Sequence, residues 1–232
     1  MTDRRARVDT VALDIDGTLV DSAYHHTLAW SRAFHSVGRD VPCWSIHRAI
    51  GMGGDRLVAA VAGRAVEHEL GDAVRATWEK EYDAMIEEPT VLPGARELLG
   101  DLRGLGLSVV LASSAIPRHA ERSISLLGEA RDHAEAATTS EDADASKPDP
   151  ELLDVAIERV EGASSIVVGD SVWDVEAAKR LGIPSVALRS GGFGAEELRE
   201  AGAAWVLTDV GELRERLDEV LAPVTDDGAP QA

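Results

Sequence analysis

Apolar residues along the chain follow two rhythms. Between Ala23 and Pro89 they recur at helical spacing, and after Val91 short apolar runs alternate with helical stripes. Thr10 to Leu13 precede both and predict a short buried strand. Leu28, Trp30, Phe34 and Val37 then form an apolar stripe that Gly38 terminates. A second segment, Ser45 to Ile50, breaks at Gly51-Met52-Gly53-Gly54. Helical spacing resumes through Leu57, Val58 and Val61, and again through Val74, Trp78, Tyr82 and Met85. No strand-like run interrupts this block, which predicts an all-helical insert directly after the first strand.

From Val91 the pattern becomes strand, helix, strand. Pro93-Gly94 opens a helix with Leu98, Leu99 and Leu102 on its inner face, and Leu107 to Ala112 is a strongly apolar strand. A helix from about Pro117 to Leu127 leads to a weaker strand at Ala134 to Thr138. Asp149-Pro150 predicts a helix start with Asp149 as N-cap and Pro150 in the first turn. Ser165 to Gly169 and Ser185 to Leu188 read as strands around a helix at Val172 to Leu181, and Trp205 to Leu207 and Val210 to Leu221 supply the last strand and helix. Gly191-Gly192-Phe193-Gly194 carries no dinucleotide fingerprint and reads as a loop. Such alternation predicts an α/β fold, a Rossmann-like parallel sheet core with helices on both faces plus an all-helical cap domain. The expected boundaries are residues 1–22 and 91–222 for the core, 23–90 for the cap and 223–232 for a flexible acidic tail. In that architecture ligands sit beyond the carboxyl ends of the strands.

Composition narrows the function classes. The 232 residues can hold such a core with a smaller insert, and 44% hydrophobic residues suffice to fill it. A net charge of -19 repels nucleic acid and anionic membranes, so neither is an expected partner. An anionic substrate therefore needs a local trap of metal, lysine and backbone amides. No apolar run has the length of a membrane span and no signal-peptide pattern precedes the first strand, so a cytoplasmic location is expected. Cys43, the single cysteine, excludes an internal disulfide and fits a reducing compartment. Beside Pro42 and Trp44 it reads as a buried small hydrophobe. Monomer and homodimer both remain open.

The chemistry begins where the first strand stops. Asp14 and Asp16 lie two apart in extended chain, so their side chains can converge on one site, and Gly17 lets the backbone turn sharply behind them. Two carboxylates so close resist ionising together unless a cation or a proton intervenes. With hard oxygen ligands and no histidine or cysteine cluster nearby, the expected metal is Mg²⁺. A polar turn that ends a strand explains a lone Asp-x-Asp-Gly equally well, but the full string Asp14-Ile15-Asp16-Gly17-Thr18-Leu19-Val20-Asp21-Ser22 is far more specific.

At these residues the chain resembles the haloacid dehalogenase superfamily of phosphohydrolases, in the subgroup of phosphoglycolate phosphatase and β-phosphoglucomutase with a helical cap after the first strand. The resemblance runs from about Val8 to about Leu221. It implies that Asp14 is the nucleophile and Asp16 the acid/base. The dehalogenases that name the family lack the second aspartate, so Asp16 favours phosphoryl transfer. It further implies that Ser113 binds phosphate, with Ser114 offering a backbone amide. Lys147, in Ser-Lys-Pro-Asp-Pro, would neutralise the nucleophile and the transferring group. Asp14, the carbonyl of Asp16 and Asp170 would hold Mg²⁺, and Asp174 would orient metal-bound water. Residue chemistry alone also allows helix capping by Ser113-Ser114, a solvated Lys147 and a first-turn acid at Asp174.

Three further positions bear on specificity. His25 and His26 at the core-cap junction read as exposed or capping histidines, although Asp21, Ser22 and His26 together resemble a site-rim pattern of related mutases. Gly51 to Arg56 resembles the subgroup's substrate-specificity loop, in which Arg56 is the one cation. The resemblance thus implies a Mg²⁺-dependent phosphomonoester hydrolase for a small phosphorylated metabolite. A sugar phosphomutase and a catalytically idle binding protein on the same fold are the alternatives. The mutase is disfavoured by Met52-Gly53-Gly54 where a cap arginine is expected, and the idle protein by retention of Asp14, Asp16, Lys147 and Asp170.

Overall fold

The first strand, β1 (Thr10–Leu13), is buried along its whole length because both faces and both edges are covered. The computed structural model describes residues 7–222, so the expected acidic tail at 223–232 lies outside the described residues. Within that span β2 (Val20–Asp21) and β3 (Thr90–Val91) form a two-stranded antiparallel ribbon. The remaining strands are β4 (Ser108–Ala112), β5 (Ala136–Thr138), β6 (Ser165–Gly169), β7 (Ser185–Leu188) and β8 (Trp205–Leu207). With β1 they make a six-stranded sheet in the order β5-β4-β1-β6-β7-β8. Every pairing in it is parallel. The chain builds outward from β1 to β5 on one side and then from β6 to β8 on the other. The order therefore reverses at β1, which opens a crevice at its carboxyl end.

Helices α1 (Ala23–Ser36), α2 (Cys43–His47), α3 (Gly54–Ala62) and α4 (Arg64–Asp83) form a block between β2 and β3. They share their own core around Trp30, Phe34, Ile46, Leu57, Trp78 and Tyr82. After β3 come α5 (Ala95–Gly104), α6 (Pro117–Leu126), α7 (Glu151–Glu158), α8 (Val172–Leu181), α9 (Ala195–Ala201), α10 (Val210–Glu215) and α11 (Leu217–Val220). The two sheet faces differ in bulk. Val11, Leu13, Leu111 and Val168 pack with Leu98, Leu102 and Leu213 from α5 and α10. On the other face Ala12, Ala112 and Val167 meet Ala156, Ala177 and Ala178, whose small side chains suit close approach of α7 and α8.

The structure departs from the sequence reading in several places. The β2–β3 ribbon has two residues per strand, too few to show a period, and it brings the chain back from the helical block beside the point where it left. Helix α9 has a single buried residue, Leu198, and so lacks an apolar stripe. The last helix breaks at Arg216 into α10 and α11. The segment expected at Ser45 to Ile50 instead forms α2, ending at His47. Pro150 borders α7, while the Asp149 carboxylate still accepts from the Glu151 amide at 3.3 Å, so it caps from one position further out. Cys43 is exposed, because α2 turns it and the 72% exposed Trp44 away from the core. No described helix is long and apolar enough to cross a membrane.

Leu111 is 1% exposed at the centre of the sheet and Leu105 is 43% exposed. Leu111→Ala should lower the unfolding free energy in urea by about 2–5 kcal/mol, and Leu105→Ala by less than about 0.5 kcal/mol. Equal losses from the two would mean that the β4 packing described above is wrong.

Candidate active site

Strand ends β1, β4 and β6 deliver polar residues to the crevice at the topological switch. Asp14 follows β1 directly, and its amide donates to the Val168 carbonyl of β6 at 2.9 Å. Asp170 and Asp174 follow β6, and Lys147 arrives on the loop before α7. Asp14, Asp170 and Asp174 bring one carboxylate oxygen each to within 4.8 Å of one another. All three are buried, and Lys147 is 0% exposed, the reverse of a solvated lysine. Its ammonium pairs with Asp14 Oδ1 and, at 2.7 Å, with Asp174 Oδ1. It also donates to the Ala112 carbonyl at 3.3 Å, which ties it to the end of β4.

One lysine cannot neutralise three carboxylates. Burial pushes Asp14 up to about 7, with Lys147 pulling it back and Asp174 adding to the rise. Asp170 is likewise raised well above the usual carboxylate range by burial and by Asp14 and Asp174. Thr18 relieves part of this repulsion, its hydroxyl lying 3.2 Å from Asp14 Oδ2 and 3.1 Å from Asp170 Oδ1. Two glycines make room for Asp170. A Cβ on Gly17 would fall 2.4 Å from Asp170 Oδ2, and one on Gly191 would fall closer still. Gly17 also has φ +88, which only glycine adopts freely. Hard, crowded, partly protonated oxygens in a cradle that excludes a Cβ fit a divalent cation such as Mg²⁺.

Asp16 sits in a different environment. Its Oδ1 accepts from Ser22 Oγ at 2.6 Å and from Ser123 Oγ at 3.4 Å, and lies 3.6 Å from His26 Nε2. Its Oδ2 accepts from Ser113 Oγ at 3.4 Å. Burial acts to raise this carboxyl, but the hydrogen bond and charge of His26, with Ser22 and Lys147, outweigh it and bring it to about 2. The side chain of Asp16 thus stands apart from the carboxylate cluster, and only its carbonyl is left for the metal role that the sequence resemblance implied.

The other expected residues fall as follows. Ser113 is buried and its hydroxyl accepts from the Ala115 amide at 3.1 Å, while Ser114 Oγ is buried without a hydrogen-bond partner. Asp174 closes a capping box with Ser171 at the start of α8 and turns its other oxygen to Lys147. His26 is neither exposed nor a cap. It is 6% exposed, with its ring stacked 3.9 Å from Tyr82, and Ser22 holds the N-cap position of α1. Gly51 borders the catalytic cavity, and a Cβ on it would fall 2.7 Å from Ser171 Oγ. Arg56 does not border that cavity; its guanidinium reaches Asp149 Oδ2 at 3.3 Å instead.

Sequence reasoning missed Thr18, Ser123, Tyr82 and Gly191 as parts of the site. Thr18 stood in plain view within the motif string. Ser123 and Tyr82 lie on helices whose pattern reports only packing, and Gly191 was absorbed into a loop. The cavity itself is small, about 50 Å³, and is walled by Asp14, Asp16, His26, Trp30, Trp78 and Ser114. Hydrogen bonds join the helical block to the sheet around it. The Gly53 amide donates to Ser146 Oγ at 2.9 Å, Ser146 Oγ to Asp55 Oδ1 at 2.5 Å, and Trp173 Nε1 to the Arg48 carbonyl at 3.2 Å.

Known proteins share the fold and part of the sequence. The family model of haloacid dehalogenase-like hydrolases matches residues 8–182. The validoxylamine A 7'-phosphate phosphatase of Streptomyces hygroscopicus subsp. limoneus is 32% identical over 209 residues, covering 87% of this chain and 93% of that protein. A phosphoglycolate phosphatase of Rhodobacter capsulatus is 27% identical, over 77% of this chain and 83% of its own length. Among solved structures, a hydrolase from Pseudomonas syringae superposes with a TM-score of 0.86 at 31% identity, covering 91% of this chain and 98% of that one. The chain belongs to the haloacid dehalogenase-like hydrolases, the family that its Asp14-to-Ser22 motif resembles, and its relatives are phosphatases.

Proposed function

We propose that the protein is a Mg²⁺-dependent phosphomonoester hydrolase that acts on a small phosphorylated metabolite through an aspartyl-phosphate intermediate. The observation that carries this reading is the buried meeting of Asp14, Asp170, Asp174 and Lys147 at the switch point. Mg²⁺ held by Asp14, the Asp16 carbonyl and Asp170 would supply the positive charge that lets a phosphate dianion approach a carboxylate. Asp14 attacks phosphorus, and the ester oxygen leaves as the alcohol. Lys147 balances charge on the nucleophile, while Ser113 and the amide of Ser114 hold phosphate oxygens. Asp16 gives the leaving oxygen its proton and afterwards takes one from the water that releases Asp14. The carboxyl of Asp16 lies at about 2 without substrate. A phosphate dianion beside it raises that value by like-charge repulsion, which lets it carry a proton at the moment of need.

The helical block acts in this reading as a cap that excludes bulk water. The mutase alternative needs a cation for a second phosphate. The cap's Arg56 is engaged by Asp149, and among the described residues no lysine or arginine borders the catalytic cavity. An idle binding protein would not need the crowded carboxylates, which burden the fold. The lone cysteine supports a reducing compartment, and we propose the cytoplasm.

Phosphate release from a panel of small phosphomonoesters, measured with Mg²⁺ and with chelator, tests the reading. The wild type should require Mg²⁺, and Asp14→Asn should lower turnover by about 10³-fold or more while circular dichroism is retained. Metal-independent release would refute the mechanism. Asp14 also makes a prediction about stability. Its carboxyl moves from 3.8 unfolded to about 7 folded without metal, so the native state holds the extra proton between these values. Stability therefore falls as pH rises from about 4 to about 7 and levels off above. Urea midpoints in chelator should show this fall in the wild type relative to Asp14→Asn, and Mg²⁺ at neutral pH should reverse it in the wild type alone. A pH-independent difference between the two proteins would argue against the burden assigned to Asp14.

A further inference from the structure

A second chamber opens beside the catalytic cavity. Its volume is about 230 Å³, against about 50 Å³ for the cavity that holds Asp14 and Asp16. Trp78, Ser114 and Gly54 border both, so the two spaces share a wall. Two atoms of that wall stand out. Trp78 is 6% exposed with no hydrogen-bond partner for its indole N–H, and Ser114 Oγ is buried with none either. A buried donor left unpaired costs free energy, and buried polar groups are nearly always satisfied. Both residues belong to the wall that the two spaces share, where a polar group would find unpaired hydrogen-bonding atoms close by.

The charges around the chamber limit what that ligand carries. Asp55, Glu79 and Asp144 border it, with Arg75 as the cation. Arg75 is already engaged, donating to Glu67 Oε1 at 2.9 Å, Asp72 Oδ1 at 2.8 Å and the Gly54 carbonyl at 3.1 Å. Beneath the wall of the catalytic cavity Lys147 is taken by Asp14 and Asp174, and in the wall itself His26 lies against Asp16. Neither space presents an unengaged cation among its described walls. A carboxylate on the leaving alcohol would meet like charge with no unengaged cation to pair with, whereas hydroxyl and ammonium groups find acceptors in Asp55, Glu79 and Asp144, of which Asp55 and Glu79 also reach Arg56 at 3.7 Å and Arg118 at 3.8 Å.

We infer that the leaving alcohol of this enzyme is hydroxyl-rich or amine-bearing and free of carboxylate, and that it extends past Ser114 and Trp78 into the chamber lined by Asp55, Glu79 and Asp144. The inference rests on the phosphatase reading and assigns its substrate class. A two-carbon acid such as glycolate neither fills the chamber nor finds a cation there. Selection works chiefly by rejection, since a carboxylate there meets like charge and gains no cationic partner.

The test compares kcat/KM for a hexose phosphate, the matching amino-sugar phosphate, the matching aldonate phosphate and phosphoglycolate, with phenyl phosphate as a reference ester. The hexose and amino-sugar esters should exceed the aldonate ester by about 10-fold or more, and phosphoglycolate should be poorer still. Glu79→Lys should shift the ratio of aldonate to hexose turnover by about 10-fold toward the aldonate. Asp144→Lys, at an exposed position, gives the same reading should the first variant not fold. Preference for the carboxylate esters, or an unchanged ratio in both variants, overturns the substrate class while hydrolysis of the reference ester leaves the phosphatase reading standing. Failure to hydrolyse phenyl phosphate and every other ester overturns both.

Discussion

Three carboxylates and one ammonium share a space from which water is nearly excluded, and much of the surrounding structure can be understood as holding them there. Burying charge is costly, and a single lysine offsets only part of the repulsion among Asp14, Asp170 and Asp174. Left free, such side chains would turn outward to water. They are held because each is fixed from behind. Asp14 continues a strand hydrogen-bonded on both edges, Asp174 is locked into the capping box of α8, and Asp170 is enclosed by Gly17, Gly191 and the Thr18 hydroxyl. The apolar packing on both faces of the sheet supplies the stability against which this strain is held.

The loops that carry these groups also carry the contacts to the helical block. Ser146, adjacent to Lys147, accepts from the Gly53 amide and donates to Asp55. Gly191, behind Asp170, has its carbonyl 2.8 Å from His47 Nε2, and Trp173 beside Asp174 donates to the Arg48 carbonyl. Two loops of the sheet and the first turn of α8 are therefore joined to α2, α3 and the turn between them. Seating of the block and alignment of the charged groups are built from the same hydrogen bonds, so a change in one is felt in the other.

What a sequence reveals of such an arrangement depends on whether the signal is local. The alternation of strands and helices was legible because each parallel strand buries both faces and writes a continuous apolar run. The Asp14-to-Ser22 string was legible because a strand end, a turn and its ligands lie within nine consecutive positions of the chain. Lys147 could be placed only through its Lys-Pro-Asp-Pro setting, since nothing local distinguishes a lysine held by Asp14 from one in water. Ser123 and Tyr82 leave no trace, as their roles arise only where α4 and α6, remote from β1 in the chain, pack beside Asp16 and His26. Cys43 was misjudged for the same reason. Its neighbours are apolar, but the way α2 lies on the block turns that face outward.

Asp14 and Asp16 show how far environment can separate two identical side chains. They stand two residues apart, yet one lies at about 7 and the other at about 2. Asp14 faces other carboxylates in a dry crevice, where its charge is unwelcome until a cation arrives. Asp16 faces three serine hydroxyls and a histidine, which favour its charge until an anion arrives. Groups so divided respond in opposite senses to the two components of a metal-assisted phosphoryl transfer, cation and phosphate. Binding both would move Asp14 toward the ionised nucleophile and Asp16 toward the protonated acid. Assembly of the reactants thus sets the protonation state that the chemistry requires, with His26, Ser22 and Lys147 fixing the point from which Asp16 starts.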